Sequence, residues 1–386
     1  MREKIFGLPK NIFFFGLTSL FNDFSSEMVF AVFPAFFTAV LKVGAASLGL
    51  VDGIAEAASN FFKIYSGNLS DRLGNRKPLV ISGYVLSVAT RPLYMLVSTV
   101  GGALGLRFLD RVGKGLRTAP RDAIISLSTP RDGLGRSFGF HRAMDTTGAI
   151  LGPLIAYLIL RSFPLQFNTV FTTAFVVGLF ALATLVFISD VAAPSSARRA
   201  ELGAAFSRLS SQFKFFLLSI FVLSAGSLPI AVILLKTESL GLTIADIPLF
   251  YMLYNVSYAA IAMPAGKLSD RLGARTVIGA GYLVLLGSYA ALAFAESAWA
   301  LAGAFLVFGL FPAMTDGVQR SLAAQLTDES VRGGGLGWFN AAVGFGALLS
   351  GIGGGYLWQA FSPVTAFAVA AVVVCVGLVS FFVSTR

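Results

Sequence analysis

Ionisable side chains crowd the first half of this sequence, inside stretches that are otherwise apolar. They are Asp23, Glu27, Asp52, Glu56, Lys63, Arg91, Arg107, Asp110, Arg111, Lys114, Arg117, His141, Arg142 and Asp145. The second half offers chiefly Asp316, with Lys236 and Glu238 at a helix end. Each ionised group in the middle of a bilayer costs roughly 2.5–3.5 kcal/mol even on a lenient insertion scale. These groups must therefore pair, contact water or lose their charge.

Helical spacing shows how they can meet. Five charged residues recur at i, i+3, i+4, i+7 and i+10, which predicts one stripe along a helix. This basic stripe consists of Arg107, Asp110, Arg111, Lys114 and Arg117. Asp52 and Glu56 share a face of an earlier helix, and His141 and Asp145 share a face of a later one.

The composition identifies lipid as the solvent of this chain. Of 386 residues, 56% are hydrophobic and 12% are charged, whereas soluble domains average about 25% charged residues. The single cysteine, Cys375, excludes an internal disulfide and a cysteine metal cluster. One histidine, without a serine nucleophile turn or a metal-ligand spacing, argues against an enzyme. We expect no metal and no cofactor.

Apolar runs of about 20 residues, the length that crosses the hydrocarbon, predict an all-α protein with twelve transmembrane helices. The predicted spans are 11–40, 46–66, 78–98, 100–121, 138–160, 167–188, 214–236, 247–266, 276–295, 298–318, 334–358 and 362–384.

Lys and Arg are distributed unevenly about these spans. About 19 fall on one side of the membrane, about 3 on the other and about 7 inside the spans. This bias predicts a multi-pass inner-membrane protein with both termini in the cytoplasm. The net charge of +10 is therefore topological and does not indicate nucleic-acid binding. We expect a monomer in the lipid bilayer.

An internal repeat divides the chain into two halves. GNLSDRLGNR at 67–76 recurs as GKLSDRLGAR at 266–275, an offset of 199 residues (266 minus 67), with eight of ten positions identical. We predict a six-helix bundle at 1–189, a cytoplasmic linker at 190–213, and a second, pseudo-symmetric bundle at 214–386.

The repeated loop resembles the signature of the major facilitator superfamily. The first copy contributes Gly67, Asp71, Arg72, Gly74, Arg76 and Lys77, and the second contributes Gly266, Asp270, Arg271, Gly273 and Arg275. The resemblance covers essentially the whole chain. It implies the major facilitator fold, a small-molecule substrate and transport by alternating access. It also implies a cytoplasmic latch, in which Asp71 pairs with Arg121 and Asp270 with Arg320. The alternative is that these charges only fix the orientation of the helices in the membrane.

Two further motifs are similar to those of the family. RVGKGLRTA at 111–119 matches the motif of the fourth helix, but Lys114 replaces a Gln and Arg117 replaces a Gly. Gly148, Gly152 and Pro153 resemble the antiporter signature of the fifth helix. This likeness favours the drug and metabolite:proton antiporters, and hence proton-coupled efflux.

We expect a carboxylate among Asp23, Glu56 and Asp145 to carry the coupling proton. The full predicted set for proton coupling or substrate binding is Asp23, Glu27, Glu56, Arg111, Lys114, His141 and Asp145. The alternative is a set of permanent ion pairs that hold the helices together. Arg91, near the outer end of the third span, is expected to snorkel to the headgroups.

A substrate wall is predicted in the second half. It consists of Tyr251, Tyr254, Asn255, Tyr258 and Asn340. Aromatic residues at helical spacing more often pack a core, so this remains a hypothesis. The alternative function is uptake or exchange of an anionic metabolite, which the basic stripe motivates. The sequence leaves the substrate and the direction of transport open.

Overall fold

The computed structural model describes residues 4–73, 75–130, 133–191, 206–328 and 332–385. Twelve long helices, α1 to α12, follow one another in these ranges. Their bounds are Lys10–Ala39, Ala45–Leu73, Lys77–Leu93, Val100–Ser128, Leu134–Ser162, Phe167–Leu185, Ser211–Leu234, Ile247–Leu272, Ala274–Ala293, Ala298–Gln325, Arg332–Ala360 and Pro363–Ser384. α7 is interrupted between Ala225 and Ile230. A two-residue antiparallel pair, Lys4–Ile5 with Leu8–Pro9, precedes α1.

Nine helices in the described ranges are long and apolar enough to cross a membrane. The three long helices outside that group are α1, α2 and α4. These three carry Asp23 and Glu27, Asp52 and Glu56, and the basic stripe, respectively. Their hydropathy is low because of these charges. The predicted twelve-helix fold is confirmed.

The repeat extends to the packing. In the first half α1 packs against α5 and α6, and α4 packs against α2 and α3. In the second half α7 packs against α11 and α12, and α10 packs against α8 and α9. Adding 199 to the bounds of α5 gives 333–361, one residue from the observed α11. The predicted linker lies largely outside the described residues, since 192–205 are not among them.

The two halves meet most closely through α2 and α11. Gly49 and Gly53 of α2 lie against Gly351 and Gly355 of α11, backbone against backbone. A Cβ atom on Gly351 would stand 2.8 Å from the Cα atom of Gly53. We call this contact the glycine seam. Only residues without a side chain allow two helices to approach so closely.

Two hydrogen bonds accompany the glycine seam at the same end of the molecule. Thr38 Oγ1 donates to Glu238 Oε1 at 2.6 Å, and the Ala46 N–H donates to Gln359 Oε1 at 3.0 Å. We call the end that carries the loop between α1 and α2 the closed side. The distribution of Lys and Arg predicts that this side faces outward.

Adding one methyl group to the glycine seam should force the closed side open. We expect Gly351→Ala to cost about 1–3 kcal/mol of overpacking in the closed arrangement, because its Cβ would meet the backbone of α2. Ala45 is buried against Gly355 on the closed side. In a Cys375→Ser background that also carries Ala45→Cys, Gly351→Ala should raise the rate of reaction with a polar maleimide roughly tenfold or more over the rate with Gly351 intact.

Gly353→Ala is the matched control. It lies two residues away on the same helix, and its Cβ would meet nothing within 4 Å. Its labelling rate should equal that of the parent. Equal rates for the two alanine variants would contradict the role assigned to the glycine seam.

Candidate functional site

Two ion pairs join α4 to α2 inside the first half. Arg107 lies 3.0 Å from Asp52, and its guanidinium stacks 4.4 Å from the ring centre of Phe30. One turn further on, Arg111 Nε lies 3.1 Å from Glu56 Oε1. Arg107, Asp52 and Arg111 are buried, whereas the Glu56 side chain is 36% exposed. The pair of Arg107 with Asp52 is therefore buried, and the pair of Arg111 with Glu56 is open to solvent on the side of Glu56.

The basic stripe does not form one functional face, which corrects the prediction. Arg117 donates a 2.6 Å hydrogen bond to Ser87 Oγ and stacks on Tyr84 at 4.6 Å, so it belongs to the contact with α3. Positions 107 and 117 are ten residues apart, and at 3.6 residues per turn they point about 80° apart. The stripe winds from the α2 side to the α3 side.

Lys114 lies between the two groups. It is half-buried, and among the described residues its ammonium group has no hydrogen-bond or ion-pair partner. The carboxylates of Asp23 and Glu56 both feel its charge. Lys114 is thus an uncommitted cation beside two carboxyl groups.

A pair of carboxyl groups lies between α1 and α5. The Asp23 and Asp145 carboxyl groups are near neighbours across the contact between the two helices. Ser19 Oγ donates to Asp145 Oδ1 at 2.8 Å, and Arg142 donates to Oδ2 at 3.0 Å. Asn22 donates to Asp23 at 3.0 Å. We call Asp23 and Asp145 the carboxyl pair.

The sequence analysis did not include Ser19 and Asn22 in the site. Their signal was available: both are polar residues within one turn of Asp23 in an otherwise apolar helix. A hydroxyl and an amide there satisfy carboxyl oxygens that hydrocarbon cannot.

The glycines that resemble the antiporter signature create the carboxyl pair. A Cβ atom on Gly148 would stand 2.8 Å from the Phe24 nitrogen, and one on Gly152 would stand 2.7 Å from the Phe24 oxygen. Pro153 follows, buried in α5. Because α5 lies backbone against backbone with α1, the short side chains of Asp23 and Asp145 can reach one another.

One buried hydrogen bond links the carboxylates of the first half to the second half. Tyr251 Oη of α8 donates to Glu27 Oε2 of α1 at 2.7 Å. Among the described residues it is one of three hydrogen bonds between the halves, and the other two are those at the closed side. Glu27 lies one turn from Asp23 on α1, toward the closed side.

Part of the predicted substrate wall is buried. Tyr251 and Asn255 are buried, and Asn255 donates to the Tyr251 carbonyl within α8. Tyr254, Tyr258 and Asn340 are only half-buried. The Arg142 guanidinium lies 5.1 Å from the ring centre of Tyr258, so it contacts both the carboxyl pair and the second half.

His141 and Arg91 are both buried. The His141 Nε2 atom has no hydrogen-bond partner among the described residues. Arg91 donates to Asn22 Oδ1 at 3.3 Å and is 2% exposed, so the expectation that it snorkels to headgroups is wrong. The polar segment of α1 offers it a partner inside the bundle. No three His, Cys, Asp or Glu side chains group as metal ligands within the described ranges.

The predicted latch is not engaged where the structure describes it. Arg121 is bonded to its neighbour Asp122 at 2.9 Å, and among the described ion pairs none joins Asp270 to Arg320. Gly67 lies on α2 and Arg271 in the last turn of α8, while the Arg76 N–H donates to Asp190 at 2.9 Å. The Asp71 and Arg72 side chains and Gly74 lie outside the described residues, so the first latch stays a prediction.

Similarity to known proteins follows this architecture. An uncharacterised MFS-type transporter of Methanocaldococcus jannaschii is 34% identical over 97% of this chain and 95% of its own length. The multidrug resistance protein MdtH of Photorhabdus laumondii is 25% identical, over 86% of this chain and 83% of its own.

Solved structures share the fold at low identity. A crystal structure of the nucleoside transporter NupG has a TM-score of 0.82 at 14% identity and covers 97% of this chain and 100% of its own. A POT family transporter has a TM-score of 0.82 at 13% identity and covers 100% and 99%. The sequence profile of the Major Facilitator Superfamily matches residues 15–235 and 215–386. The chain is a membrane transporter that belongs to the Major Facilitator Superfamily.

Proposed function

We propose that this transporter exports a small organic solute from the cytoplasm in exchange for protons. The observation that carries the proposal is the carboxyl pair, Asp23 with Asp145. Two carboxyl groups in contact hold one shared proton more readily than two negative charges. Such a pair can therefore bind and release a proton inside the span.

The surroundings of the pair suit a coupling site. The Lys114 ammonium group lies nearby without an ion-pair partner among the described residues, while Arg142 contacts Asp145 and stacks on Tyr258 in the other half. A movement of the second half would shift Arg142. Protonation and the relative position of the halves would then depend on each other.

The direction of transport is proposed from two similarities. The relative MdtH is named a multidrug resistance protein, and the glycines of α5 resemble the antiporter signature. Both favour efflux. A multi-pass protein of the inner membrane with cytoplasmic termini suits this function.

Uptake or exchange of an anionic metabolite draws less support from the geometry. Its motive was the basic stripe, and two of the bases in that stripe are committed to Asp52 and Glu56. Binding that depends on the negative charge of a solute, and that is lost in Arg111→Ala, would favour this alternative.

The proton of the carboxyl pair can be observed without knowing the solute. Infrared spectra of the reconstituted wild type should contain the carbonyl stretch of a protonated carboxyl group, and it should disappear in Asp23→Asn or Asp145→Asn. Glu296→Gln is the control. It neutralises an exposed carboxylate in a loop, and the carbonyl signal should persist in this variant. A signal that survives in both Asn variants would place the proton elsewhere.

The same variants test the coupling. Proteoliposomes loaded with a panel of cationic, zwitterionic and anionic organic dyes should expel at least one of them when a pH gradient is imposed, and Asp23→Asn should abolish the gradient dependence while Glu296→Gln retains it. Dye efflux that ignores the gradient, and that is unchanged in Asp23→Asn, would contradict proton coupling.

The bond between Tyr251 and Glu27 should control the closed side. Tyr251→Phe removes a hydrogen bond to a carboxylate, worth about 1.5–3 kcal/mol, so labelling of the cysteine at position 45 should rise roughly tenfold or more. Tyr254→Phe is the matched control, because the Tyr254 hydroxyl has no hydrogen-bond partner among the described residues. An unchanged rate in Tyr251→Phe would show that the bond does not hold the halves together.

A further inference from the structure

Asp316 of α10 is an unpaired carboxylate between the two halves. It is exposed, and it has no hydrogen bond or ion pair with any described residue. The charges that act on it are, in order, those of Arg142 from the first half, Arg320 one turn along α10, and Lys63 from the first half. Two of these three cations belong to the first half, so Asp316 lies on the side of α10 that is turned toward that half.

The first half carries positive charges near Asp316 that have no anionic partner. Its other ions there are balanced within the half, since Glu56 pairs with Arg111 and Arg142 with Asp145. Two lysines remain. Lys114 has no partner in the described part of the chain, and Lys63 contacts only the neutral Asn60 Oδ1, at 3.2 Å.

An aromatic surface lies beside Asp316. Phe308, about two turns before Asp316 on α10, packs on the Tyr254 ring at 5.3 Å, and the Tyr254 ring packs on Tyr251 at 5.9 Å. The charge of Asp316 also acts on the Tyr254 phenol. Tyr258 lies one turn further along α8. Both tyrosines keep part of their surface accessible. Ring faces of this kind attract organic cations.

We propose that the exported solute is a zwitterion with an apolar body, which deepens the proposed function and rests on it. The cationic group binds at Asp316 beside Tyr254, the anionic group binds at Lys63 and Lys114, and the body lies along the aromatic surface. A solute with a single charge would leave the opposite charge of the site unmatched, which is unfavourable away from bulk water.

The proposal explains why these charges remain apart. Lysine and aspartate side chains on facing walls would form a salt bridge if the walls touched. The structure instead keeps them separated and accessible, and a ligand that carries both charges completes the two pairs at once. It would also draw the halves together, as alternating access requires.

A charge-matched ligand series tests the inference. N-benzyl-ω-amino acids with increasing methylene spacing are the zwitterions; their methyl esters carry only the cation, the N-benzoyl acids only the anion, and the N-benzoyl methyl esters neither. Thermal stabilisation of the purified full-length protein in detergent is the measurement. At the best spacing, we expect the zwitterion to bind at least about tenfold more tightly than any of the other three.

Substitutions test which residues bind the cationic end of the ligand and which bind the anionic end. Asp316→Asn should weaken the zwitterion to the level of its N-benzoyl analogue and leave binding of that analogue unchanged. Lys63→Gln combined with Lys114→Gln should weaken it to the level of the methyl ester. The controls Glu296→Gln and Lys267→Gln neutralise exposed residues elsewhere and should change neither. Each variant must first match the wild type in unliganded melting temperature.

The inference is overturned if the neutral ester stabilises the protein as well as the zwitterion does, if no member shows charge dependence, or if the advantage of the zwitterion survives in Asp316→Asn. Binding in detergent needs no gradient. A failure here therefore leaves proton-coupled efflux standing, and a failed gradient assay leaves the substrate class standing.

Discussion

An ionised side chain inside a hydrocarbon layer needs an opposite charge or water, and this requirement shapes the first half of the transporter. Asp52 with Arg107 and Glu56 with Arg111 tie α2 to α4. Removing one partner of a buried pair such as Asp52 with Arg107 typically costs about 3–5 kcal/mol, because the other charge is left uncompensated. The two helices must therefore move as one body. Lys114 and the carboxyl pair take no part in these two ion pairs, so their protonation can change without breaking the contact between α2 and α4.

The repeat makes the asymmetry of the halves explicit. At the offset of 199 residues, Asp52 corresponds to Tyr251 and Arg107 to Leu306. Asp145 corresponds to Gly344. The two halves share their helix packing, but the second half lacks these charges. We infer that the two halves have different roles. The first half binds the proton, and the second half supplies the aromatic surface, Asp316 and the Tyr251 hydroxyl that donates to Glu27.

Hydropathy and the repeat were sufficient to predict the fold, because a membrane span needs only length and apolar character. Spacing along a helix was less informative about the site. It shows which residues share a face, but not which neighbouring helix that face meets. Arg117 turned to Ser87 of α3, and Arg91 found Asn22 instead of the headgroups. The carboxyl pair was expected only as a loose neighbourhood. Its contact depends on how closely α5 approaches α1, which Gly148 and Gly152 determine by their lack of side chains.

The contrast between contacts within and between the halves accounts for how such a protein can alternate. Within the first half, charges are joined by ion pairs. Between the halves, the described residues form hydrogen bonds and the glycine seam but no ion pair. Hydrogen bonds contribute about 0.5–3 kcal/mol each, the higher values applying to charged groups. Reversing an equilibrium from 1:99 to 99:1 takes about 5.5 kcal/mol of differential binding. Three hydrogen bonds and a seam of glycines fall within reach of that amount. The closed side is therefore stable enough to exclude one compartment, yet weak enough for a proton and a solute to open it.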